Sequence, residues 1–156
     1  MNSIKNIVSG LLEKYGTLDP FELCECLDIK VFKYNLGKDI KGYMQRTPDG
    51  RAMIFINSEA HEEEMKYICA HELGHAILHN TLSLGYFVEN PMLVKNKYEI
   101  EADKFAAEIL IGQELNDHRY SELNLEQLSS TICVPAKLIE YKLNGGTQVS
   151  GGMGYN

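Results

Sequence analysis

The string His71-Glu72-Leu73-Gly74-His75 constrains this chain more than any other stretch, because its chemistry exists only on a helix. Histidines four positions apart project from one face of an α-helix, roughly 5–6 Å from each other, and both can then reach one metal ion. Glu72, one position after the first histidine, lies beside such an ion, where its carboxylate can hold a bound water. The competing reading is a chance string on a solvated helix. Met65, Ile68, Cys69, Leu73, Ala76, Ile77 and Leu78 recur at helical spacing through the string, which predicts a helix over about residues 60–80. Asn57-Ser58 offers that helix a cap, and Glu59, Glu62, Glu63 and Glu64 suit its positive end, although a plainly solvated start explains them as well. Gly74 costs a helix ~1 kcal/mol relative to alanine, which points to close packing or ligand approach there.

Upstream, Ile4, Ile7, Val8, Leu11, Leu12 and Tyr15 read as an amphipathic helix over 3–15, closed by Gly16. Asp19-Pro20 reads as a cap and first turn of a short helix to about Leu27. Three β-like runs follow, Ile29–Tyr34, Ile40–Gln45 and Arg51–Asn57, separated by turn chemistry at Asn35-Leu36-Gly37 and Thr47-Pro48-Asp49-Gly50. The pattern predicts a small antiparallel three-stranded meander. Residues 80–96 contain Gly85 and Pro91, lack a period, and read as a long loop of the kind that serves as a lid or substrate-binding segment. Helix returns over Tyr98–Gly112, and Leu125–Cys133 and Pro135–Leu143 suggest two short final helices. The expected organisation is one domain over 1–143, followed by a disordered glycine-rich tail over 144–156.

Charge and cysteine content remove several function classes. A net charge of −7 and a pI near 5.2 argue against this chain itself gripping a phosphate backbone, and suit a basic protein partner instead. The opening MNSIKNIVSGLLEKYG is too polar for a signal peptide, and no apolar run approaches ~18 residues, so a cytoplasmic protein without a membrane span is expected. Cys24, Cys26, Cys69 and Cys133 form no C-x-x-C pair and read as reduced, mostly buried thiols; a Cys24-x-Cys26 metal clip lacks a second pair to complete it.

A catalytic zinc needs a third protein ligand and an open fourth position. Glu99-Ile100-Glu101-Ala102-Asp103 supplies candidates. Glu99 and Asp103 share a helix face, so Glu99 is the expected ligand and Asp103 the acceptor that fixes a ligand histidine, with Glu101 in reserve on roughly the opposite side. A third histidine at position 81 would complete a longer zinc motif, but Thr81 stands there. His79 lies about 12 Å along a straight helix from His71, too far to share its metal, and is expected to pack or hydrogen-bond nearby. His61 and His118 carry no motif and read as surface residues, with His118 a loop candidate for assisting an oxyanion.

The run Cys69–His79 (CAHELGHAILH) followed by Glu99–Leu110 (EIEADKFAAEIL) resembles the ImmA/IrrE metallopeptidases, and the resemblance extends over most of residues 1–143. It implies an α+β fold, with a small sheet packed on a zincin-like core of active-site helix and glutamate helix. It also implies Zn2+ held by His71, His75 and Glu99, with Glu72 as general base. Members typically cut a helix-turn-helix transcriptional repressor, so the implied partner is a DNA-binding protein substrate. Two departures are visible: Asp103 stands where the family often has asparagine, and Ile111-Gly112 where proline is common. Residues 122–143, with Leu128, Ile132, Val134, Leu138 and Ile139, could form a helix-turn-helix-like unit. Lys137 and Lys142 against Glu126 and Glu140 give it no phosphate-binding footprint, so packing or partner docking is expected of it. A zinc-bearing module that binds and sequesters a regulator or toxin without cutting it is the alternative.

Overall fold

Local signals set the first two helices. Ser3 accepts a hydrogen bond from the Asn6 amide, and Gly16, at φ 73°, ends helix α1 (Ile4–Tyr15) in the left-handed conformation. The Asp19 carboxylate accepts from the Phe21 and Glu22 amides and opens α2 (Pro20–Cys26). This is a computed structural model, and it describes residues 3–79 and 93–145.

Strands β1 (Lys30–Tyr34), β2 (Gly42–Arg46) and β3 (Ala52–Asn57) form one sheet in the order β1-β3-β2. The hairpin β2–β3 is antiparallel, but β1 runs parallel to β3, so the sheet is mixed and the expected antiparallel meander is corrected. The physical reason lies in Asn57. Its Nδ2 donates to the carbonyls of Gly37 (2.7 Å) and Ile40 (2.8 Å), and its Oδ1 accepts from the amides of Leu36 and Glu59. This buried side chain holds the 35–41 connection across the end of the sheet, so β2 arrives on the far side of β3. Asn57 therefore does not cap the next helix. Helix α3 (Glu62–Leu78) begins after His61, which makes no side-chain cap bond.

One face of the sheet carries Ile54 and Ile56 into a core completed by Val8 of α1, Leu23 and Cys24 of α2, Ile68, Cys69 and Leu73 of α3, and Phe105 and Ile109 of α4 (Leu93–Leu110). A second core joins Ala70 of α3 and Ala106 and Ala107 of α4 to Ile111 and to the last two helices, α5 (Leu125–Ile132) and α6 (Ala136–Asn144). Helices α3 and α4 are apolar on more than one side because each is packed between these two cores. The last pair packs through Leu128, Val134, Leu138 and Ile139.

Gly74 explains how α3 and α4 approach so closely. A Cβ there would stand 3.2 Å from the Ala102 Cα, the Ala102 carbonyl oxygen and the Phe105 ring. Cys24 and Cys69 are buried with their sulfurs 3.8 Å apart, whereas Cys26 is exposed, so residues 24 and 26 form no clip. Of the expected loop, residues 93–96 begin α4 and the rest lies outside the described residues, as does the glycine-rich tail from 146 onward. Among the described residues, no helix is long and apolar enough to cross a membrane.

Candidate metal centre

The close α3–α4 contact lays Glu99 over the two motif histidines. His71 Nε2 and His75 Nε2 are 3.1 Å apart, and the Glu99 carboxylate oxygens lie 3.1 Å from the first and 3.2 Å from the second. Among the described residues, these three are the group able to hold a metal ion. A tetrahedron with metal–ligand bonds of ~2.0–2.1 Å has edges of about 3.3–3.4 Å, so the spacing needs little change to accept an ion. The donor chemistry agrees. Two ring nitrogens and a carboxylate converge on one point, an arrangement that a cation or shared protons must hold together.

Each histidine is oriented from behind. His71 Nδ1 donates to Asp103 Oδ1 at 2.8 Å, which aims its Nε2 at Glu99. Asp103 is itself held from two sides, by the Tyr67 hydroxyl (2.8 Å) and the Lys137 ammonium (2.8 Å). Behind His75 stands His79, with the two Nδ1 atoms 3.0 Å apart, and His79 Nε2 meets Glu101 Oε2 at 2.9 Å. Thus His79 packs beside the centre as expected, 7% exposed, and Glu101 serves His79 rather than the cluster. His118 is exposed in a 3₁₀ turn of the 111–124 connection, on a different element.

The electrostatics follow from these contacts. Burial opposes a charged His71, but hydrogen bonds to Asp103 and Glu99 outweigh it and raise its pKa to about 9. Hydrogen bonds from His71 and His75 hold the Glu99 carboxyl far below the usual range. The cluster without metal thus retains a proton where a cation can bind. Burial pushes the neighbouring Glu72 carboxyl up, against the opposing pull of His71 and His75. Arg46 of β2 donates to the Ala76 carbonyl of α3 at 2.7 Å, one residue past His75, and the Met44 backbone draws the Glu72 carboxyl back down, so β2 borders the site. Glu99 is 47% exposed at its side chain, so solvent reaches the cluster from that side.

Sequence reasoning missed Tyr67 and Lys137. Tyr67 stands one turn before His71 on the same face of α3, a spacing that could have pointed to it. Lys137 reaches Asp103 from α6, and no local pattern announces that contact.

Comparison with known proteins agrees with this geometry. The profile described as the IrrE N-terminal-like domain, a peptidase family, matches residues 24–144. An uncharacterized immunity region protein 2 from Bacillus phage phi105 is 33% identical over 140 residues, covering 89% of this chain and 88% of the phage protein. Metallopeptidase ImmA of Bacillus subtilis strain 168 is 28% identical over 145 residues, covering 90% of this chain and 84% of that protein. With a profile matched over most of its length and a His-His-Glu cluster on a zincin-like α+β core, this chain belongs to the IrrE/ImmA family of metallopeptidases.

Proposed function

We propose that this chain is a zinc-dependent endopeptidase that cuts a peptide bond in a DNA-binding repressor, in the cytoplasm, and so relieves repression of a mobile element or stress operon. The convergence of His71, His75 and Glu99 beside the buried Glu72 is the observation that carries the reading. The three side chains would hold Zn2+, and Asp103 keeps His71 in the tautomer that offers Nε2. An ion held there would supply Lewis-acid chemistry, making water more acidic and polarising the scissile carbonyl. Glu72 takes the water proton on a carboxylate oxygen as the water oxygen bonds to the carbonyl carbon, and delivers it to the amine nitrogen as the carbon–nitrogen bond breaks. Its raised pKa suits a group that must both accept and return a proton.

The substrate main chain is expected along β2. Asn57 N–H donates to Lys41 O, which puts the β3-facing hydrogen bonds of β2 on residues 41, 43 and 45. Gly42, Met44 and Arg46 therefore turn their backbone groups to the edge of β2 that no other described strand pairs, beside the site. An extended peptide can add there as a further strand, whatever its sequence.

The repressor as substrate is supported by the family and by the phage relative's name, which places that protein in an immunity region. An acidic chain also suits a basic, DNA-binding partner and does not itself suit nucleic acid. Co-incubation of the metal-loaded chain with the helix-turn-helix repressor encoded by a neighbouring gene, with and without chelator, tests the reading by mass spectrometry. Two chelator-sensitive fragments are expected. A stable complex with intact repressor, unchanged in Glu72→Gln, would favour the sequestering module.

A further inference from the structure

Three aromatic rings on the sheet face opposite Ile54 and Ile56 lie in one line across all three strands. Phe32 of β1 is the register partner of Phe55 of β3, and Phe55 is the partner of Tyr43 of β2. The rings stack, with centroids 5.2 Å apart for Phe32–Phe55 and 4.8 Å for Tyr43–Phe55, and interplanar angles of 22° and 14°. Tyr34 extends the cluster at the β1 side. In this row Phe55 is covered by a ring on either side. Among the described residues, Tyr43 is covered by a ring, Phe55, on one side only and is 39% exposed, and it stands on the strand that borders the site.

We propose that Tyr43 is a specificity residue, selecting an aromatic or large aliphatic side chain at the one substrate position that faces it across the β2 edge. The inference rests on the reading of β2 as the substrate-binding edge. A strand added antiparallel to β2 makes its hydrogen-bonded pairs with Gly42, Met44 and Arg46. The residue opposite Tyr43 then falls in a non-hydrogen-bonded pair, where cross-strand side chains approach most closely. Its side chain projects on the same face as Tyr43, away from α3, and becomes the fourth member of the row. An aromatic or branched apolar group there removes the open side of Tyr43 from water, whereas a small or acidic residue leaves it exposed. Substrate positions opposite Met44 and Gly42 project instead toward α3, so the preference belongs to one position in the alternation.

The test uses the full chain loaded with Zn2+ and a library of peptides made by tryptic digestion of a bacterial proteome, with cleavage sites read by mass spectrometry and a chelator control. Wild type is expected to show one position enriched roughly 3- to 10-fold in Phe, Tyr, Trp, Leu or Met, the range of aromatic cross-strand pairing. Tyr43→Phe should keep that enrichment. Tyr43→Thr, which retains strand propensity at a partly exposed site, should lose it while preferences at the other positions persist. Thermal melts by circular dichroism confirm that both variants are folded. Cleavage by Tyr43→Thr with a profile identical to wild type would overturn the role of Tyr43 and leave the peptidase reading standing. Absence of any chelator-sensitive cleavage by wild type would overturn the peptidase reading, and this inference with it.

Discussion

Gly74 of α3 faces Ala102 of α4 with little room for a methyl group: a Cβ would stand 3.2 Å from both the Ala102 Cα and its carbonyl oxygen. Backbone atoms cannot rotate away as a side-chain tip can. The contact therefore sets the distance between the helix that carries His71 and His75 and the helix that carries Glu99. Gly74→Val is expected to lose about 1–3 kcal/mol through overpacking, a drop in Tm of several degrees. It should also weaken metal binding, because α4 is displaced together with its ligand. Alanine adds ~1 kcal/mol of helix propensity against the same backbone contact, so Gly74→Ala should lie between wild type and Gly74→Val. Thermal melts of metal-free and metal-loaded protein, compared side by side, check the order.

Glu72 and the histidines separate chemistry from metal retention. Glu72→Gln leaves the three converging ligand atoms in place and removes the proton acceptor. It should bind Zn2+ at one ion per chain while cleavage falls by at least ~100-fold. His71→Ala and His75→Ala should lose the metal itself. Metal content per chain after gel filtration, measured beside repressor cleavage, decides the assignment; normal turnover by Glu72→Gln would remove Glu72 from the mechanism.

Lys137 lies in the first turn of α6, the last helix among the described residues, and yet reaches the candidate metal centre through a single carboxylate, Asp103. Removing the ammonium leaves Asp103 freer to turn from His71. Lys137→Met is therefore expected to lower metal affinity by about 10- to 100-fold, as loss of a partner behind a ligand commonly does. Lys137→Arg can still reach the carboxylate and should lose less. Competition titrations against a chromophoric chelator give the ratio directly, and equal affinities for wild type and Lys137→Met would mean that Lys137 only neutralises surface charge.

The parts legible in the sequence are those written in neighbouring residues. Ser3, Asp19 and Gly16 mark helix ends through bonds spanning two to four residues, and the two helical carboxylate and histidine motifs reveal their shared face by spacing alone. The parallel placement of β1 was not legible, because it depends on one buried side chain, Asn57, bonding to a connection some 20 residues earlier. The same Asn57 looked like a helix cap, since its residue type serves both purposes. Glu101 was held as a spare ligand because helical spacing fixes direction only coarsely; its bond to His79, at the end of another helix, decides its role.

Asp103 makes stability depend on acid in a predictable direction. In the metal-free protein, burial pushes its carboxyl up, but hydrogen bonds from His71, Lys137 and Tyr67 prevail and hold it below the usual 3.8. A carboxylate whose folded pKa lies below its unfolded value binds its proton later in the folded state. Its contribution is complete above the unfolded pKa and is lost as pH falls through the folded one. Asp103→Asn has no such titration, although it can still accept from His71. The difference in unfolding free energy between wild type and Asp103→Asn, from urea titrations of chelator-treated protein, should therefore level off near pH 5, once His71 is protonated in both the folded and unfolded chains, and shrink below about pH 4. A difference that stayed constant down to about pH 3 would show that the carboxylate gains nothing from its charge, and that His71, Tyr67 and Lys137 are held in place by packing alone.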